Sequence, residues 1–106
     1  MNAKQARFLQ SLLCKIDFWR LKVNREIRND RQLEASIAFD CLYDYLWLLE
    51  QYLKTHGVCG KLGGQTALAL KRFYRNLHQS TTSRVRDRLV KIIHRLEPEC
   101  QLPLFS

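Results

Sequence analysis

Arginines 84, 86 and 88 stand directly behind four hydroxyl-bearing residues, Ser80-Thr81-Thr82-Ser83. That grouping has a chemistry: it binds anions. A helix start offers free backbone N–H groups and the positive end of the dipole, hydroxyls donate further hydrogen bonds, and guanidinium groups make paired bonds to phosphate oxygens. Arg84 and Arg86, in the first turn, oppose the dipole of their own helix at a cost of roughly a few tenths of a kcal/mol each. An anion would remove that cost. The expectation is that Ser80 to Ser83, with Arg84, Arg86 and Arg88, contacts a nucleic-acid phosphate. Lys91 and Arg95 extend the Arg84–Arg88 stripe at helical spacing, and Lys71 and Arg75 add two cations on the preceding helix. The rival reading, a solvated basic face without a partner, stays open.

A second group lies near the N-terminus, where Phe18 is set among Lys15, Lys22 and Arg25. Aromatic and basic side chains side by side are what single-strand binders use, because every unpaired base has a face to stack. An exposed aromatic at a dimer seam reads equally well. The charge balance favours a polyanion: net charge is +8 over 106 residues. Residues 54–106 hold ten Lys/Arg against three Asp/Glu, while residues 1–53 hold eight against seven. No zinc finger, basic zipper or helix-turn-helix pattern is present, so sequence-specific reading of duplex DNA is not expected; of the two nucleic acids, DNA is expected over RNA.

The C-terminal residues Gln101-Leu102-Pro103-Leu104-Phe105 resemble the short motif by which bacterial polymerases and repair factors bind the DNA sliding clamp, the β subunit of the replicative polymerase. The resemblance covers five residues and implies a role for each anchor. Gln101 would enter a small polar-edged pocket, and Leu102, Leu104 and Phe105 would fill the neighbouring hydrophobic cleft. Pro103 departs from the usual small or acidic residue at a permissive position. A proline there pre-extends the peptide and lowers the cost of ordering it, while the large apolar residues act as anchors. The alternative is that Leu102, Leu104 and Phe105 dock on their own domain.

Other chemistries find little support. The glycine-rich stretch Gly57 to Gly64 has Lys61 followed by Leu62, not Ser or Thr, and no strand precedes it, so it is not a phosphate-binding loop. His56, Cys59, His94 and Cys100 lack the spacing of a zinc module, so no metal and no cofactor is expected. No nucleophile, base and acid can be grouped, and an enzyme is not expected. Cys14, Cys41, Cys59 and Cys100 form no paired motif, and Cys14 and Cys41 read as small apolar residues within helices. With no apparent signal segment and no long apolar span, a cytoplasmic protein that avoids the membrane is the expectation.

These side chains must be positioned by helices, since apolar residues recur at steps of three and four throughout. The first helix spans about residues 3 to 28, with Leu9, Leu12, Ile16, Trp19, Val23 and Ile27 inward. Asn29 and Asp30 are candidate N-caps for a second helix that ends near His56, with Gly57 as its left-handed cap. That helix is the most apolar: Ala38, Cys41 or Leu42, Tyr45, Leu49 and Tyr52 form one stripe, widened by Leu46, Trp47, Leu48 and Leu53, so it should be covered from two sides. Its acids, Glu34, Asp40, Asp44 and Glu50, should face the basic first helix across an antiparallel hairpin. A loop over Gly57 to Gly64, a helix over Thr66 to His78 burying Leu70, Phe73 and Leu77, and a helix over Arg84 to Leu96 burying Val85, Leu89, Ile92 and Leu96 complete the body, with Pro98 as the stop.

The fold class is therefore all-α: a small helical bundle of four helices, two long and two short, in a domain of residues 1–97 with a tail of residues 98–106. Two helices of about 39 Å exceed two of about 20 Å, so self-association as a homodimer or higher homo-oligomer should cover the remainder. The function expected is that of a non-enzymatic nucleic-acid-binding accessory factor tethered to the sliding clamp, in replication, repair or a mobile element. The alternatives are an RNA-binding or reverse-transcriptase accessory bundle, or a clamp blocker or structural interaction protein that binds no nucleic acid.

Overall fold

A computed structural model describes residues 3–57 and 60–100. Among them are four helices and no strand: α1 (Ala3–Arg28), α2 (Gln32–His56), α3 (Gly60–Arg75) and α4 (Ser83–Cys100). The chain is a small all-α bundle, as its periodicity predicts. α1 packs on α2 and α3 on α4, while α2 also touches α4 and α1 touches α3. Around the ring the order is thus α1, α2, α4, α3. Within each hairpin the helices are antiparallel. Between hairpins they run parallel, because Arg84 and Arg88 meet Asp40 and Glu50 in the same order, as Arg20 and Asn24 meet Phe73 and Asn76.

The core follows the predicted stripes closely. Leu9, Leu12, Ile16 and Val23 from α1, Leu70 and Phe73 from α3, and Val85, Leu89, Ile92, Ile93 and Leu96 from α4 are buried, as is Leu77 just beyond α3. Trp19 and Ile27 pack at its edge. In α2 the buried stripe is Ala35, Ala38, Leu42, Leu46, Leu49 and Leu53, so Cys41, Tyr45 and Tyr52 lie half-buried beside it. Trp47 and Leu48 are exposed. Truncating any one of the fully buried leucines to alanine would cost about 2–5 kcal/mol.

Several boundaries differ from those expected. Asn29 and Asp30 do not cap α2; they close α1. Asp30 has φ 56°, its N–H donates to Ile27 O, and the N–H of Arg31 donates to Glu26 O. These are the two bonds of a Schellman closure, in which the left-handed residue is usually glycine; aspartate is one of the few other residues that visits that region. The N-cap of α2 is Arg31, with no side-chain cap bond. At the other end Gly57 does have positive φ, 64°, but ψ is 140°, outside the left-handed helical basin and accessible in practice to glycine alone.

α3 begins at Gly60, inside the stretch expected to be loop. Gly63, Gly64, Thr66 and Ala67 are buried, so their small size at a packed face offsets the poor helix propensity of glycine. α4 starts one residue earlier than expected and continues through Pro98 to Cys100; a proline near a helix end removes a single hydrogen bond, and the helical body passes the expected boundary at residue 97. With 16 and 18 residues, α3 and α4 reach about 24 and 27 Å. The mismatch with α1 and α2 is smaller than the sequence suggested.

Candidate functional site

The basic residues singled out in α4 have protein partners. Arg88 donates to a Glu50 carboxylate oxygen and, at 2.8 Å, to the Tyr43 hydroxyl. Its guanidinium lies 4.6 Å from the centre of the Tyr43 ring, and the pair with Glu50 is four-fifths or more buried on each side. Arg84 sits 4.0 Å from the same ring and 3.4 Å from Asp40, on the surface. Arg86 turns back and donates to the carbonyls of Leu77 and His78, just beyond the end of α3, where partial negative charge gathers. Burial and charge therefore account for all three arginines. A first-turn arginine that looks misplaced against its own helix dipole is here well placed against a neighbouring segment.

The acids of α2 follow from the same geometry. They were expected to face α1, yet the cross-helix pairs of Asp40 and Glu50 run to α4. The α1–α2 seam carries aromatic contacts: Phe8 and Tyr52 rings lie 5.0 Å apart, Lys15 is 5.7 Å from the Tyr45 ring centre, and the Tyr52 hydroxyl donates to Gln5 O.

The loop between α3 and α4 is held from two sides. Asn24 of α1 donates to Asn76 O at 3.5 Å and accepts from the His78 N–H at 3.2 Å, while Arg86 holds the Leu77 and His78 carbonyls from α4. Asn24 was missed in the sequence because a lone polar residue in a helix gives no periodic signal. Its role exists only through a contact 52 to 54 residues away. The hydroxyl cluster is placed unevenly: Thr81 is buried, and Ser80, Thr82 and Ser83 are exposed.

Ser80, Thr82 and Arg84 border a cavity of about 580 Å³ that also contains Glu26, Asp30 and Asp40. Arg31 and Arg84 share that lining, and Glu26 is paired with Arg25 and Arg31 and Asp40 with Arg84, so the cations at the place expected to hold a phosphate are already matched by carboxylates. The remaining predicted cations are spread out. Arg75, Lys91 and Arg95 are exposed, Lys71 is half-buried, and on α1 Lys15 and Arg25 are exposed with Lys22 half-buried. Phe18 is 58% exposed and stands edge-on to Trp19. Gln101, Leu102, Leu104 and Phe105 lie outside the described residues.

Cys14 is exposed and Cys41 half-buried, both as free thiols, so Cys14 does not serve the core. Among the described residues no group of three or more His, Cys, Asp and Glu side chains could hold a metal ion, and no helix is long and apolar enough to cross a membrane.

The fold defines a class, a small bundle of two helical hairpins laid side by side in parallel. No protein-family model, curated protein or solved structure matches the chain.

Proposed function

We propose that this protein is a non-enzymatic accessory factor that binds the bacterial DNA sliding clamp through Gln101, Leu102, Leu104 and Phe105 and binds nucleic acid weakly through its basic helical body, in cytoplasmic replication, repair or the life cycle of a mobile element. The observation that carries the reading is the Gln-Leu-Pro-Leu-Phe sequence at residues 101–105 of a chain with net charge +8. A clamp peptide alone binds transiently, and weak binding to DNA beside the clamp raises its effective concentration. The cations best suited to that role are the exposed Arg75, Lys91 and Arg95 of the second hairpin.

Self-association belongs to the same proposal. Of the eight exposed large apolar side chains among the described residues, seven lie on α1 and α2, which makes the first hairpin the surface for a second copy.

A clamp pull-down comparing the full chain with a chain truncated before Gln101 tests the reading. Capture of the full chain alone supports it, and equal capture, or none, refutes it. One observation favours a second reading, a clamp blocker that binds no nucleic acid: Arg84, Arg86 and Arg88 are engaged within the protein. Clamp capture without measurable DNA affinity at low salt selects that reading.

A further inference from the structure

The packing of the helices divides the charge of the chain. α1 holds seven Lys/Arg against two Asp/Glu and α3 four against none, while α2 holds one against four and α4 five against three. α1 touches α3 and α2 touches α4, whereas α2 and α3 have no contact. One side of the bundle, α1 with α3, therefore carries eleven cations against two acids, and the other carries six against seven. The two basic helices run parallel and end together. Arg20 of α1 covers the Phe73 ring of α3 at 5.4 Å, and Asn24 donates to Asn76 O. Arg28, one turn beyond Asn24, and Arg72 and Arg75, on either side of Phe73, are exposed. Among the described residues these three have no carboxylate partner, whereas Arg20 pairs with Asp17, Arg25 and Arg31 with Glu26, Arg84 with Asp40 and Arg88 with Glu50. The C-terminal ends of α1 and α3 contribute about half a negative charge each, which offsets roughly one of the three.

We propose that the α1–α3 side binds the phosphate backbone of duplex DNA, with Arg28, Arg72 and Arg75 as its contacts. This rests on the nucleic-acid reading above and gives it a place on the fold: Arg75 is common to both, and Arg28 and Arg72 are new. A guanidinium presents paired N–H donors to phosphate oxygens, and a surface of one sign raises the local concentration of a polyanion. Leu68 is the one exposed large apolar residue described on α3, and no ring stands exposed there. Single-strand platforms stack successive bases on aromatic rings, so this side is suited to the backbone of a duplex, which such contacts hold without reading its sequence. Leu33, Ile37, Trp47 and Leu48, four of the exposed apolar residues, stand on α2. A second copy seated on them leaves the α1–α3 side open.

The test is fluorescence anisotropy of the full chain with a short labelled DNA duplex, and with one of its strands alone, across a salt series. Arg28→Glu combined with Arg72→Glu weakens duplex binding about tenfold or more and flattens the salt dependence by about 1.8, the share of two phosphates. Lys54→Glu combined with Arg84→Glu makes the same change in net charge at exposed positions on the α2–α4 side, and duplex affinity falls by less than about threefold. Equal losses in the two variants, or an unchanged salt slope in the first, overturn the proposal while nucleic-acid binding itself stands. Tighter binding of the single strand than of the duplex overturns it as well. A full chain that binds no duplex at low salt overturns it together with the nucleic-acid reading.

Discussion

Arg88 of α4 and Glu50 of α2 meet as an ion pair that is largely withdrawn from water, with Tyr43 accepting the second arm of the same guanidinium. One arginine thus ties the two hairpins together. Arg84, a turn earlier, meets Asp40 with side chains 61% and 72% exposed. Solvent screens that pair. The two look equivalent as members of one basic stripe, yet burial separates their contributions.

Arg88→Met is therefore expected to lower unfolding free energy by about 1–3 kcal/mol, because it leaves Glu50 and the Tyr43 hydroxyl short of a donor. Arg84→Met should cost under about 1 kcal/mol. Urea denaturation of both variants checks the ordering, and equal losses would contradict the structural account.

Arg86→Ala and Asn24→Ala both release the loop after α3. Each is expected to cost about 1–2 kcal/mol, since each leaves polar groups of that loop without a partner. The double variant should lose less than the sum of the singles, because both side chains hold neighbouring groups of one segment. Strict additivity in a double-mutant cycle would show that the two anchors act independently.

Asp30 and Gly57 predict opposite outcomes for changes at positive φ. Asp30→Gly relaxes a left-handed residue at the end of α1 and should be neutral to stabilising by up to about 1 kcal/mol. Gly57→Ala meets open space, with nothing within 4 Å of the added carbon, so its cost is backbone strain alone, about 1–3 kcal/mol. Thermal melts of the two variants should move in different directions; a destabilised Asp30→Gly together with an unchanged Gly57→Ala would count against these conformations.

For nucleic acid, reversing charge at Arg75, Lys91 and Arg95 is expected to weaken binding uniformly across sequences and to flatten its salt dependence by about 0.9 for each phosphate no longer neutralised. Arg88 is a poor test position, because changing it also lowers stability through the lost Glu50 and Tyr43 contacts. An unchanged salt slope after the triple reversal would remove these three residues from the interface.

Much of the architecture was legible from spacing alone. Helical periodicity located all four helices and most of the large buried apolar side chains of α1, α3 and α4, because an apolar stripe must find a core wherever its neighbours lie; it missed the buried Glu26, Thr66, Ala67 and Ile93. Net charge and the Gln101 to Phe105 motif are likewise properties of the chain itself, readable without knowing its shape. What spacing did not determine was partner choice. In α2, where apolar residues circle most of the helix, only packing decided that Leu46 and Leu53 go inward while Trp47 and Leu48 stay out. Gly63 and Gly64 became helix because a close-packed face accepts residues that local propensity rejects. The arginines of α4 had a visible stripe, but their ends meet Glu50, Asp40 and the Leu77 and His78 carbonyls, residues far along the chain or on a loop that folds back. The Glu26 cavity likewise exists only where the α1–α2 turn comes to rest against α4, since contacts between distant segments depend on three-dimensional closure and leave no periodic trace in the sequence.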